Sequence, residues 1–539
     1  MIRKALLLAS ALLCALPAQG QDARGYSGPV PPRDQSVERA MKIRGSFTVV
    51  AVGDMIQMMA FANSSDPDIA FLVSLMRGAD LTMANNENVI VDFDSYRGPM
   101  GHQFAPATVA DDWAAMGIDM VSKANNHVWD GGEAGLWADF RELRRVGIVH
   151  VGADRDETEA RLTRSFVTPK GSAGLIGVYS RGDTSQMSGI ASGDPVYVTA
   201  PQLEQLRAMR DAIVARRGET PNPIDIPENL ANEVMVFAVR FRLADATHGT
   251  GPDHAWAANR RRAEAERGEI ISRTNDLNLI TYNGVTAAQM AQLRAIAGDA
   301  GTGNTLEAFG VRFKIMPGAG EYDYEMEPQS LRDILREVRT GKQFNDFLAV
   351  TTHWHQNRFA FQRYSNDHYS PAYQIAFAHA VIDQGADLFF AHGMHTLKGV
   401  EIYKGKPIFY GLSNFVFQSQ ILRSWRDHGA EPPAPLDGPL VGEGETNADY
   451  WSRLQQPDNL VALLTQTRFE KGQLVEVRLY PVDLGPISRP GSQFGTPRRP
   501  SPATARRILE DVTEYSKPFG TRIVIRGGVG IIRVAPARR

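Results

Sequence analysis

His392-x-x-His395 closes the apolar run LFFA, with Gly393 between the imidazoles to let the backbone turn tightly. Two imidazoles at a strand end can hold a metal ion, but two alone bind little, so further ligands must come from elsewhere in the chain. The chain offers them repeatedly. SFTVVAV ends in Gly53-Asp54, ADLTMA ends in Asn85-Asn86-Glu87, GIDMVS leads into Asn125-Asn126-His127, and FNDFLAVTT ends in His353-Trp354-His355. The C-terminal ends of strands are where open α/β sheets place their sites. Taken alone, Asp54 fits equally well as the N-cap of a helix over MIQMMAFA. Acid, amide and imidazole recurring at successive strand ends point instead to one constellation at one edge of a sheet. If the strand before Trp354 persists, period-two spacing puts His353 and His355 on one face, one to ligate and one to touch substrate. Such oxygen and imidazole donors suit Mn, Fe or Zn, one ion or two, without choosing among them.

The elements that must position these residues alternate. Strands are predicted over 46–52, 79–84, 117–122, 147–151, 174–179 and 344–352, with helices over 69–76, 111–116 and 372–384 and a further strand-like run in GKPIFYGLSNF. This spacing predicts an α/β protein with a largely parallel sheet covered by helices. From 181 to 341 the pattern weakens to helices over 201–217, 255–265, 287–297 and 328–338, and a short strand over 233–239. That stretch is expected to be an inserted lobe that shapes the cleft. Its His248 and His254 lie in a polar Gly-rich loop and read as solvated. After 417 a Pro/Gly/acidic linker (431–446) precedes a hairpin over 460–469 and 473–479, a helix over 502–515, and two strands around Gly527-Gly528, all read as packing.

Composition sets the class. The chain has 539 residues, 43% hydrophobic and 22% charged, as expected of a folded protein with more than one compact core. Met1-Ile2-Arg3-Lys4 followed by ALLLASALLCALPAQGQ reads as a signal peptide cleaved near Gly20, so the protein is expected to be exported, periplasmic or secreted. The single cysteine, Cys14, lies inside that segment, which leaves the mature chain without thiol or disulfide. Removing Arg3 and Lys4 leaves 56 basic residues against 61 acidic ones. That balance, with the mixed tract RRRAEAER and the isolated PRRPSPATARR, excludes nucleic acid as a partner.

With Gly53-Asp54, Asn85-x-Glu87, Asn125-Asn126-His127-x-x-Asp130, His353-Trp354 and His392-x-x-His395 in this order, the chain resembles the CapA-type family of poly-γ-glutamate capsule synthesis, a relative of the calcineurin-like metallophosphoesterases. ANNHVWDGG and GADLFFAHGMHTLKGVEIYKGKPIFYGLSNFVF carry the resemblance most strongly. It implies a four-layer α/β/β/α sandwich over 46–180 and 344–420, an inserted lobe over 181–343, and a linker with a C-terminal α+β extension over 421–539, behind a signal peptide (1–20) and leader (21–45). It further implies Asp54 on a first metal ion, Glu87 as the bridging carboxylate, Asn126, His353 and His392 on a second ion, and His395 returning to the first. His127 is implied as general acid or transition-state stabiliser, with Asn85, Asn125, His355 and Asn414 as contacts to substrate. Two departures stand out. Ile56 occupies the place of a metal-binding histidine, and Glu87 replaces an aspartate.

The expected function is an exported metal-dependent hydrolase acting on a phosphoester or on an amide such as a γ-glutamyl linkage in envelope or capsule polymer metabolism. The alternative is a non-catalytic accessory protein of poly-γ-glutamate synthesis, binding anionic polymer beside the capsule synthesis machinery. A third reading, an exported binding protein, predicts no metal and scattered side chains.

Overall fold

The computed structural model describes residues 34–100, 103–182, 195–217, 231–237, 239–247, 249–252, 273–359, 367–418, 460–485 and 494–534. The signal segment, most of the leader, the helix expected over 255–265, His248, His254 and the 431–446 linker lie outside the described residues. The strands and helices that build the sandwich all belong to one unit, Arg39–Arg539.

The first half of the chain builds one sheet. Strand β1 (Ser46–Ile56) is rich in β-branched and small residues and is almost wholly buried. It leads to α1 (Pro67–Arg77), started by the Asp66 side chain, which accepts from the Asp68 and Ile69 amides. Then come β2 (Leu81–Asn86), α2 (Thr108–Met116), β3 (Met120–Ser122), α3 (Gly132–Arg145) and β4 (Val149–Val151). Strands β1 to β4 lie side by side in parallel, so their C-terminal ends share one edge.

A second sheet takes β5 (Gly171–Arg181) and β6 (Asp276–Val285), then, after α4 (Pro328–Phe344), β7 (Phe347–His353). Helix α5 (Ala372–Gln384) returns the chain to β8 (Leu388–His392), followed by β9 (Val400–Tyr403) and β10 (Lys406–Phe409). Here β6, β5, β7, β8 and β10 are parallel neighbours, and the register sets His353 beside His392 and Tyr179.

Alternation along each strand decides what lies on each side. Val49 and Ala51 face inward, packing with Phe47, Leu81 and Met83 against Leu175, Ala349, Leu388 and Phe390 of the second sheet. Val50 and Val52 face outward onto Leu72, Met76, Trp113, Leu136 and Phe140 of the first helix layer. On the far side Ile176, Val350 and Phe389 meet Ile334, Val338, Phe377 and Val381 from α4 and α5. The result is the expected α/β/β/α order, in which each fully buried large apolar side chain contributes about 1.5–3 kcal/mol.

Four details differ from the sequence reading. The run GKPIFYGLSNF is not one strand: β10 joins the second sheet, and β11 (Asn414–Phe417) pairs with the end of β1 in the first. The turn between them carries the chain across the sandwich. The segment expected as a C-terminal extension supplies β12 (Val461–Glu470) and β13 (Gln473–Asp483), and β12 runs antiparallel along Ser46–Ala51 of β1. Helix α6 (Pro502–Ser516) packs Ile508, Leu509 and Val512 into the core between the sheets. Within residues 181–343, Val196–Val198, Glu233–Val236 and Val239–Leu243 form a small separate sheet, while β6 extends the second main sheet. The single strand expected over 233–239 is a tight antiparallel pair that turns at Phe237, whose φ is 57°.

Candidate metal centre

Asp54 is the residue on which both sheets converge. It is not a helix cap, because β1 continues through it to Ile56. Its position depends on Gly53: a Cβ there would lie 1.8 Å from the Ser413 carbonyl oxygen, which also accepts from the Asp54 amide (3.1 Å). Across the sandwich, the Gly393 amide donates to Asp54 Oδ2 (2.9 Å). His353 packs on the bare face of Gly393, where a Cβ would come within 2.9 Å of the ring.

Two groups of side chains share this carboxylate. Asp54, His353 and His392 form one and Asp54, Glu87 and His395 the other, each with ligand atoms within 4.8 Å of one another. Asp54 Oδ1 lies 3.1 Å from His392 Nδ1 and 3.7 Å from His353 Nδ1, and Asp54 Oδ2 lies 3.6 Å from His395 Nδ1. The carboxylate common to both groups is Asp54, and Glu87, to which the resemblance gives the bridging place, stands in the second group. The two histidine Nδ1 atoms of His353 and His392 are 3.1 Å apart.

The donor set asks for positive charge at its middle. Thr351 Oγ1 donates its one hydrogen to the Phe390 carbonyl (2.9 Å), so at 3.0 Å from His392 Nε2 it must accept. That puts a proton on Nε2 and aims the Nδ1 lone pair at the Asp54 carboxylate, an arrangement that only a proton or a cation between them relieves. Glu87 is fully buried, and neither of its oxygens has a hydrogen-bond partner. Its pKa is pushed well above the usual carboxylate range by burial and then by Asp54 beside it. A divalent cation beside them favours the charged form of both acids. Burial, followed by His355, lowers His353 well below the ordinary histidine value, and burial, followed by His395, takes His355 down to about 3. Neutral imidazole is the ligating form. Together with the unpartnered Nε2 of His353, these residues fit a divalent metal.

The other expected site residues surround this centre. Asn85 donates to Asp54 Oδ1 (2.8 Å), and Asn125 donates to Asn85 Oδ1 (3.1 Å) and the Asn86 carbonyl (2.8 Å), so the two amides orient the carboxylate. Asn414 Oδ1 lies 2.6 Å from His395 Nδ1 and holds that ring. His395 (φ 53°) and Ser413 (φ 62°) are both left-handed without being glycine, strain of the kind found at functional sites. Strand β7 stops at His353, so His355 leaves the strand; its ring meets His353 edge-on at 4.6 Å between centroids and lies 6.2 Å from His395. Asn126 Oδ1 is buried without a hydrogen-bond partner, in the loop that follows β3. His127 Nε2 approaches Glu87 Oε1 at 3.8 Å while its Nδ1 bonds Asp130 Oδ2 at 2.8 Å.

Sequence reasoning gave no role to several supporting residues. Fully buried Lys123 bonds the Asn88 carbonyl and lies 3.3 Å from Asp139 Oδ2. Asp139 in turn accepts from Asn86 Nδ2 (2.9 Å) and the Ile90 amide (3.0 Å), which fixes the turn that carries Glu87. Asp130 had a visible signal, three residues after His127. Thr351 and Asp139 had none, since their partners are distant in sequence.

The chain is similar to known proteins over most of its length. The family model described as bacterial capsule synthesis protein PGA_cap matches residues 48–419. The uncharacterized protein y4uA of Sinorhizobium fredii is 29% identical over 511 residues, 92% of this chain and 95% of its own. The capsule biosynthesis protein CapA of Bacillus anthracis is 32% identical over 143 residues, 26% of this chain and 30% of its own. A probable polyglutamine synthesis accessory protein of Mycobacterium tuberculosis is 34% identical over 205 residues, 38% of this chain and 42% of its own.

Proposed function

From the premise that the chain belongs to the bacterial capsule synthesis protein family, we propose that it is an exported metal-dependent hydrolase of a phosphoester or γ-glutamyl amide bond in an envelope polymer. The observation that carries this reading is the carboxylate of Asp54 shared between two ligand groups. When bound, divalent ions supply positive charge against an attacked phosphoryl or acyl centre and make a nearby water more acidic. Asp54, Glu87, His353, His392 and His395 would hold them, with Asn126 as an added oxygen donor.

The remaining steps belong to the chain. Asp130 keeps a proton on His127 Nδ1 and so turns Nε2 toward Glu87 and the centre. From there the imidazolium form of His127, protonated on both nitrogens, hands its Nε2 proton to the leaving group and is left neutral with the Nδ1 proton still held by Asp130. Burial of Asp54, Glu87, His353 and His392 excludes water from the ligands, which strengthens each charge interaction. Export rests on the basic and apolar start of the sequence and is checked by N-terminal sequencing of the mature protein.

A second reading, an accessory protein that binds anionic polymer without cleaving it, draws on the name of the mycobacterial relative. Elemental analysis of purified protein, with turnover of a generic phosphodiester and of γ-glutamyl peptides, separates the two. The hydrolase reading expects bound metal and turnover of one class, abolished in Asp54→Ala. Metal-loaded protein inert toward both classes, with Asp54→Ala unchanged in its biological role, would leave only the accessory reading.

A further inference from the structure

We propose that Thr351 is a positioning residue that fixes the His392 proton on Nε2 and thereby makes Nδ1 the atom presented to Asp54. Counting hydrogens assigns this tautomer. Thr351 is fully buried on β7, and its hydroxyl has one hydrogen and two neighbours. The Phe390 carbonyl, 2.9 Å away, can only accept, so the hydrogen goes there. His392 Nε2, at 3.0 Å, must then donate to Thr351 Oγ1. A neutral imidazole with its proton on Nε2 has its lone pair on Nδ1, the atom 3.1 Å from Asp54 Oδ1 and 3.1 Å from His353 Nδ1.

The parallel register explains why this hydroxyl sits where it does. Thr351 is paired with Phe390 and His353 with His392, so the threonine lies two residues before the ligand pair and on the same face of the strand. Thr351 touches no substrate and acts only through the ring it orients. His395 is held from the other side, by Asn414 at Nδ1.

The proposal rests on the metal-centre reading only in its consequence for affinity, and the test separates the two. Full-length protein labelled with 15N-histidine, stripped of metal, gives the protonation of each His392 nitrogen by long-range 1H–15N correlation. Its Mn2+ affinity is measured by titration calorimetry. The expected result is a protonated, slowly exchanging Nε2 in the wild type. Thr351→Val should lose that protection and bind Mn2+ about 10–100-fold more weakly, and Thr351→Ser should restore both. A His392 Nε2 without a proton in the wild type overturns the proposal, as does Thr351→Val with the same Nε2 signal and an affinity within twofold. Wild-type protein that binds no Mn2+ while showing the Thr351-dependent Nε2 signal sinks the metal reading and sustains the positioning role.

Discussion

Asp54 Oδ1 lies 3.1 Å from His392 Nδ1, although the two residues are 338 positions apart and sit on different sheets. Neither sheet alone holds a site; the pocket exists because the ends of β1 and β8 meet. Removing Asp54 should therefore act on both ligand groups, while removing Glu87 should act on one.

Metal stoichiometry reports this directly. If wild-type protein binds two ions per chain, Glu87→Ala should keep one, held by Asp54, His353 and His392, and Asp54→Ala should keep none. Equal losses in the two variants would show that the carboxylate is not shared.

Gly53→Ala forces a Cβ against the Ser413 carbonyl oxygen, at 1.8 Å in the present backbone. Neither backbone can yield without moving Asp54 or the β10–β11 turn. The expected cost is about 3 kcal/mol or more, at the upper end for overpacking, together with weakened metal binding. Chemical denaturation checks it, and a loss below about 1 kcal/mol would show that the strands part easily.

His127→Ala should lower turnover by about 10²–10⁴-fold with metal content unchanged, because the ring is expected to move a proton and not to ligate. Asp130→Asn should lower turnover less, while changing its pH profile. Loss of metal in His127→Ala would reassign the residue as a ligand.

Lys123→Met leaves Asp139 buried without its cation. Breaking such a pair costs about 3–5 kcal/mol. Because Asp139 also holds Asn86 and the Ile90 amide, the Glu87 turn should loosen, giving faster amide exchange at residues 86–90. Stability within about 1 kcal/mol of wild type argues that Asp139 simply takes up a proton.

His150 is stacked on Phe140 at 3.7 Å between centroids, and burial, helped by nearby Arg164, lowers its pKa from 6.5 to about 3. The unfolded chain binds this proton near pH 6.5 and the folded chain only near 3. Its contribution is therefore intact above about pH 6.5 and is lost as pH falls toward 3, at up to about 1.4 kcal/mol per unit. His150→Phe keeps the stacking and should shift the acid-unfolding midpoint to lower pH; an unmoved midpoint would count against this cause.

The strand ends were legible in the sequence. β-branched runs punctuated by Asp, Asn-x-Glu, Asn-Asn-His and His-x-x-His announced parallel strands and located the polar residues at their C-terminal ends, because side-chain period and turn chemistry are local properties. What the sequence could not supply was the pairing between distant strands. That β12 lies along β1, that the run after Gly405 divides between two sheets, that Asp54 is common to both ligand groups, and that Thr351 meets His392 all depend on sheet register and on which face turns inward. Those choices are made by packing between segments hundreds of residues apart, so only the tertiary structure decided them.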